Sequence, residues 1–194
     1  MPFLQKLKFI YRLMNDPEVD RIFRELKEGR LWLADDASLG WWQEEAAFLH
    51  AHSLARACEN GMQVGKNPRV EPCVVFTGHR HIKIGDDFVC SFGATIRAVD
   101  SAISIGDKVS IGPLACIIGA NHGIARDAAI QDQPHESEEV LIGDDVWIGA
   151  GAVVLPGARL ETGSVVAAGS VVSGEVSSMS VVAGVPAQKV RERK

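Results

Sequence analysis

From Ile142 to Val172 a branched aliphatic residue returns every six positions: Ile142, Ile148, Val154, Leu160, Val166 and Val172. Six fits neither the 3.6-residue period of a helix nor the alternation of a plain strand. Four positions after each of the first five stands Val146, Ala152, Ala158, Ser164 or Ser170. A six-residue unit holds a short strand and a corner: the aliphatic points inward, and the smaller residue fits where corners crowd the interior. Three units close a triangular coil of about 18 residues, and stacked coils pair as parallel strands about 4.8 Å apart. A lone coil cannot bury its apolar face, so several must stack. The same beat runs through Ile84, Cys90 and Ile96, and again through Ile105, Ile111 and Ile117, with a shift of register between Ile96 and Ile105. The spacing predicts an all-β repeat domain over residues 63–185.

The first 62 residues read differently. Leu4, Leu7, Ile10, Tyr11 and Met14 fall at helical spacing with basic residues between them. Asn15-Asp16-Pro17-Glu18 is a helix-start signal, and a third helical stretch from about Leu39 to Asn60 stops at Gly61. An N-terminal helical segment over 1–62 is therefore expected, and a short basic tail over 186–194. The charge balance, 20 Lys and Arg against 25 Asp and Glu, argues against a general nucleic-acid binder. No run is long and apolar enough for a membrane span, and the start lacks the features of a signal peptide. Cys58, Cys73, Cys90 and Cys116 form no CxxC pair and read as four buried, reduced thiols of a cytoplasmic protein.

The beat stops after Ile117 and resumes at Ile142. The polar, charged stretch between them predicts a protruding loop over about 119–140. It opens on Asn121-His122-Gly123. A histidine held on such a loop is suited to act as general base toward a hydroxyl or amine. His135 lies in the acidic stretch PHESEE and reads as solvated, while His79 and His81 alternate in a strand-like TGHRHIKIG. Trp147 sits at the end of a repeat unit, where side chains tend to point outward. No P-loop, dinucleotide fingerprint or metal site is visible.

The hexapeptide beat, the interrupting loop with its histidine and the downstream DDVWIG resemble the hexapeptide-repeat acetyltransferases, over roughly residues 65–194. The resemblance implies a left-handed parallel β-helix, an exception to the right-handed crossover preference. It also implies acetyl-CoA as acyl donor and a homotrimer with active sites between subunits. His122 matches the family's catalytic base, and Ser91 matches the position of an asparagine that contacts the site in galactoside-type members. Gly112, Ala150 and Ala168 match positions where pantetheine approaches the backbone, and Trp147 the tryptophan of its groove. Ser173 matches a position near the adenine, and Lys189 and Arg191 would meet the 3′-phosphate. The implied function is transfer of acetyl to a hydroxyl of a sugar or a polysaccharide or lipopolysaccharide precursor. Two other readings of the same coil are a γ-carbonic-anhydrase-like zinc enzyme and a non-catalytic assembly module. The former typically places a histidine where Ile117 stands.

Overall fold

The computed structural model describes residues 54–71 and 73–194. The helices expected before residue 54 lie outside these residues. Residues 54–59 are helical. That helix ends at Gly61, which takes a left-handed φ of 100° while its N–H bonds to Cys58 O. Glycine at this position costs no Cβ strain.

Beyond Gly61 the chain winds into a left-handed parallel β-helix of six coils. The first coil holds β1 (Gln63–Val64), β2 (Arg69–Val70) and β3 (Val75–Thr77). The second holds β4 (Ile82–Ile84), β5 (Val89–Cys90) and β6 (Thr95–Arg97), and the third β7 (Ile103–Ile105), β8 (Ser110–Ile111) and β9 (Cys116–Ile118). An arm carrying β10 (Ala120–His122) and β11 (His135–Ser137) then leaves the stack. The fourth coil has β12 (Val140–Ile142), β13 (Trp147–Ile148) and β14 (Val153–Val154); the fifth has β15 (Arg159–Leu160), β16 (Val165–Val166) and β17 (Val171–Val172). The chain closes with β18 (Glu175–Val176), β19 (Ser180–Ala183) and β20 (Gln188–Glu192). Three parallel faces result: β1-β4-β7-β12-β15-β18, then β2-β5-β8-β13-β16-β19, then β3-β6-β9-β14-β17. On the second face β20 folds back antiparallel against β19, so the segment expected as a basic tail is an edge strand that covers the last coil.

The inward aliphatics form continuous columns. Ile84, Ile105, Ile142 and Leu160 stack on the first face, Cys90, Ile111, Ile148 and Val166 on the second, and Ile96, Ile117, Val154 and Val172 on the third, all buried. The smaller residues stack at the corners behind them. One corner column narrows through the coils from Phe88 through Val109 and Val146 to Ser164 and Ser180, all buried. The hydroxyls of Ser164 and Ser180 have no hydrogen-bond partner.

The coil length is not uniform, and its variation has one location. Passing from the first face to the second, and from the second to the third, takes six residues in every coil, as in Ile84–Cys90–Ile96 and Ile142–Ile148–Val154. Passing from the third face to the next coil's first face takes eight residues (Phe76 to Ile84), nine (Ile96 to Ile105) and twenty-five (Ile117 to Ile142). It then takes six (Val154 to Leu160) and four (Val172 to Val176). One edge of the prism therefore absorbs every insertion. The register shift after Ile96 is one of them, and the short 3-10 turn over His79–His81, in place of the strand the sequence suggests there, is another.

The recurring Ile-Gly-Asp at 84–86, 105–107 and 142–144 is a structural device on the edge between the first and second faces. Asp107 Oδ1 accepts from the Asp86 N–H at 2.7 Å and Asp144 Oδ1 from the Asp107 N–H at 2.8 Å. Each carboxylate reaches its donor over the glycine of the coil before it. A Cβ on Gly106 would stand 2.3 Å from Asp144 Oδ1 and 2.8 Å from the Gly143 carbonyl carbon. Gly106→Ala is expected to cost about 1–3 kcal/mol through forced displacement of this ladder. Thermal denaturation of the variant beside wild type checks it; an unchanged midpoint would show that the ladder bears no load.

Candidate active site

His122 ends β10, on the insertion-bearing edge, and is exposed. The arm it sits on is a folded hairpin rather than an open loop. β10 pairs antiparallel with β11, with Ala120 opposite Ser137, Asn121 opposite Glu136 and His122 opposite His135. Its tip is closed by one side chain: Gln133 Oε1 accepts from the Ala125 N–H at 2.7 Å, and Gln133 Nε2 donates to Ala125 O and Ala128 O, each at 2.9 Å. Gly123 is buried beneath this clamp, where a Cβ would stand 3.0 Å from Gln133 Oε1. The base of the arm is bound to the neighbouring insertions. Ser101 Oγ donates to Gly119 O at 2.7 Å, Ser137 Oγ to Val99 O at 3.1 Å, and the Glu138 N–H to Gly119 O at 3.0 Å. The nine-residue passage and the arm thus brace each other, and His122 rides on a supported strand.

The other residues singled out by sequence lie elsewhere. Ser91 and Gly112 stack in one column of the second-to-third edge, tied by the Ser91 N–H to Ile111 O and the Gly112 N–H to Ile148 O. Ala150 and Ala168 follow in the adjoining column, linked through the Gly169 N–H to Ala150 O. Gly149, which continues the Ser91–Gly112 column and which the sequence did not single out, is a buried glycine where a Cβ would meet Ala168 N at 2.5 Å. Trp147 points outward from the second face, 57 % exposed, opposite Ser110 and Val165. Lys108, Asp145 and Arg193 share the shallow depression beside it. Arg193 Nη1 donates to Asp145 Oδ2 at 2.8 Å, which ties the chain end to the fourth coil. Ser173 is exposed at the insertion-bearing edge, two coils beyond the arm. Lys189 and Arg191 lie on β20, where Lys189 pairs with Glu192. Within one chain, therefore, His122 and Ser173 share one edge, Ser91, Gly112, Ala150 and Ala168 another, and Trp147, Lys189 and Arg191 the face before it.

Of the four thiols expected to be buried, Cys58 and Cys73 are exposed, while Cys90 and Cys116 are poorly placed as nucleophiles. Burial, with the Glu71 carboxylate adding to it, pushes the Cys90 thiol up to about 12. Burial also raises Cys116, partly offset by the Arg97 guanidinium. Both thiols stay protonated at neutral pH, and the thiolate is the reactive form. Ile117, at the position where a carbonic-anhydrase-like site would need a ligand, is fully buried in the core.

Comparison with known proteins matches this architecture. Residues 139–174 fit the family described as bacterial transferase hexapeptide (six repeats). A solved hexapeptide-repeat-containing acetyltransferase from Vibrio cholerae superposes with a TM-score of 0.65 at 30% identity, covering 75% of this chain and 81% of that one. The chain belongs to the hexapeptide-repeat acetyltransferases. The Escherichia coli galactoside O-acetyltransferase is 36% identical over 129 residues, 66% of this chain and 63% of that enzyme. A solved galactoside acetyltransferase in complex with coenzyme A superposes with a TM-score of 0.64 at 35% identity, over 68% of this chain and 65% of the other. The chain thus spans less than two thirds of these galactoside enzymes' length. In this hexapeptide-repeat acetyltransferase the edge that takes the insertions is the one from which the hairpin with His122 leaves the stack.

Proposed function

We propose that this protein is an acetyl-CoA-dependent O-acetyltransferase acting on a hydroxyl of a sugar or of a polysaccharide or lipopolysaccharide precursor. The observation that carries this reading is the braced hairpin that holds an exposed histidine on the insertion-bearing edge, in a chain 36% identical to a galactoside O-acetyltransferase across the repeat region. His122 takes the proton of the acceptor hydroxyl as its oxygen attacks the acetyl carbonyl carbon. The C–S bond of the thioester breaks, and the departing thiolate of coenzyme A recovers a proton from the imidazolium. Nothing in this route needs an acyl-enzyme, in keeping with thiols that burial holds protonated. A backbone N–H or side-chain donor at the site holds the tetrahedral oxyanion.

The placement of the remaining residues favours a shared site. Ser91, Gly112, Ala150 and Ala168 form a narrow-walled edge on which a pantetheine arm lies close to the backbone, with Trp147 flanking it and Ser173, Lys189 and Arg191 toward the adenine and 3′-phosphate. Because that edge and the His122 edge are different edges of one prism, a second copy must bring its own edge to the arm. A homotrimer with its sites between subunits does this. Four unpaired thiols suit a reducing cytoplasm, and no helix among the described residues is long and apolar enough to cross a membrane.

The test is release of free thiol from acetyl-CoA, screened across galactosides, maltose, activated sugars, amines and serine. A sugar hydroxyl is expected to give acceptor-dependent release well above the hydrolytic background. Release with amines alone would replace the O-acetyl reading with an N-acetyl one, and none with any acceptor would sink it.

A further inference from the structure

The two histidines of the arm sit together for a reason the proposed reaction does not need. In the hairpin, the Gly123 N–H bonds to Pro134 O at 3.1 Å and the Glu138 N–H to Gly119 O at 3.0 Å. These bonds put the hydrogen-bonded pairs at Gly123–Pro134, Asn121–Glu136 and Gly119–Glu138. His122 and His135 therefore occupy a non-hydrogen-bonded pair, the one in which facing side chains come closest. Their ring centroids are 4.8 Å apart with the planes tilted by 57°. Both rings are exposed, on the hairpin face that Ser137 also uses.

We propose that His122 and His135 form a two-histidine chelate for a divalent transition-metal ion of the imidazole-preferring kind, such as Zn²⁺, Ni²⁺ or Cu²⁺. A metal about 2.0–2.1 Å from an imidazole nitrogen lies about 3.2 Å from the ring centre, so two rings centred 4.8 Å apart, each turning a nitrogen to one ion, would subtend about 97° at it. That angle falls between the about 90° of a square-planar site and the about 109° of a tetrahedral one. The strand pairing sets the spacing before any ion arrives, so little ordering opposes binding. Among the described residues no group of three or more His, Cys, Asp and Glu is disposed to hold a metal. The ion's remaining positions therefore go to water, and the site is open and exchangeable. The ion is a ligand of this arm and takes no part in acetyl transfer. It occupies a lone pair of His122, and so competes with the proton that His122 must accept. Metal binding rests on hairpin geometry alone; its effect on turnover rests on the reading of His122 as base.

The test uses the full-length, tag-free chain and Ni²⁺ itself, by titration calorimetry at neutral pH. His122→Ala and His135→Ala are each expected to bind one Ni²⁺ fewer per chain than wild type. Glu136→Gln, on the opposite face of the hairpin, is expected to bind as wild type. His135→Gln is read alongside as a polar replacement, and thermal melts without metal confirm that each variant is folded. Wild-type stoichiometry in any folded histidine variant overturns the chelate. In a parallel assay Ni²⁺ slows thiol release by wild type and a chelator restores it. Ni²⁺ bound through both histidines without slowing would leave the metal site standing and remove His122 as base. Slowing that persists unchanged in folded His135→Ala would overturn the chelate.

Discussion

Acetyl transfer by His122→Ala is expected to fall about 10²–10⁴-fold in kcat, the usual contribution of a positioned general base. KM for acetyl-CoA should change little, because Gly112, Trp147, Ala150, Ala168, Lys189 and Arg191 lie off the arm's edge and Ser173, which shares that edge, stands two coils beyond the arm. The substitution removes an exposed side chain, and the hairpin keeps its backbone pairing and its Gln133 clamp, so the melting temperature should stay near that of wild type. The measurement is steady-state thiol release with the best acceptor from the screen, beside a thermal melt. Full activity in a folded His122→Ala enzyme would end the base assignment. It would also shift weight to a non-catalytic assembly role for the β-helix.

Phe88→Ala should cost about 3–5 kcal/mol, the range for emptying a well-packed aromatic site. Phe88 is fully buried at a corner of the second coil, and the equivalent corner of the third coil holds only Val109. The backbone there turns through Asp87 with φ 55°, and the Asp87 N–H bonds to Lys66 O, so the corner is tied to the coil above and cannot collapse inward freely. Val109→Ala, further along the same column, should cost less because it removes less volume. Chemical denaturation of the two variants measures the difference. Equal small losses would mean that the column relaxes around either cavity. The wide corner sits in the coils before the arm, so a loss of packing there should also loosen the Ser101 and Ser137 contacts that brace the arm.

Much of the fold was legible in the sequence because the six-residue beat is a local signal. Whether Ile148 points inward depends on its own strand and the corner before it, and the same rule applied at Ile142, Val154 and Leu160 yields the whole core. The outward direction of Trp147 followed from the same count. The 3-10 turn at His79–His81 did not follow, because an apparent alternation of four residues cannot distinguish a strand from an inserted corner. The closing strand β20 did not follow either: Gln188–Glu192 has the charge of a solvated tail, and only the exposed edge of β19 gives it a partner.

The candidate site divides in the same way. That a histidine stood in an interruption was visible at once. That the interruption is a hairpin was not, because its residues are polar on both faces and its strands are joined through a turn held by a single glutamine side chain. His135 looked like one more solvated residue of an acidic stretch, and no spacing rule links it to His122 thirteen positions earlier.

By itself the sequence determined the coil, its inward columns and the point where the stack is broken, since each depends on residues within a few positions of one another. The tertiary structure alone decided that every insertion falls on one edge, that the inserted corners brace the arm, and that two imidazoles face each other across it. Those outcomes depend on which backbone N–H and carbonyl groups meet between coils and across the hairpin, and pairings between distant residues leave no period in the chain to read.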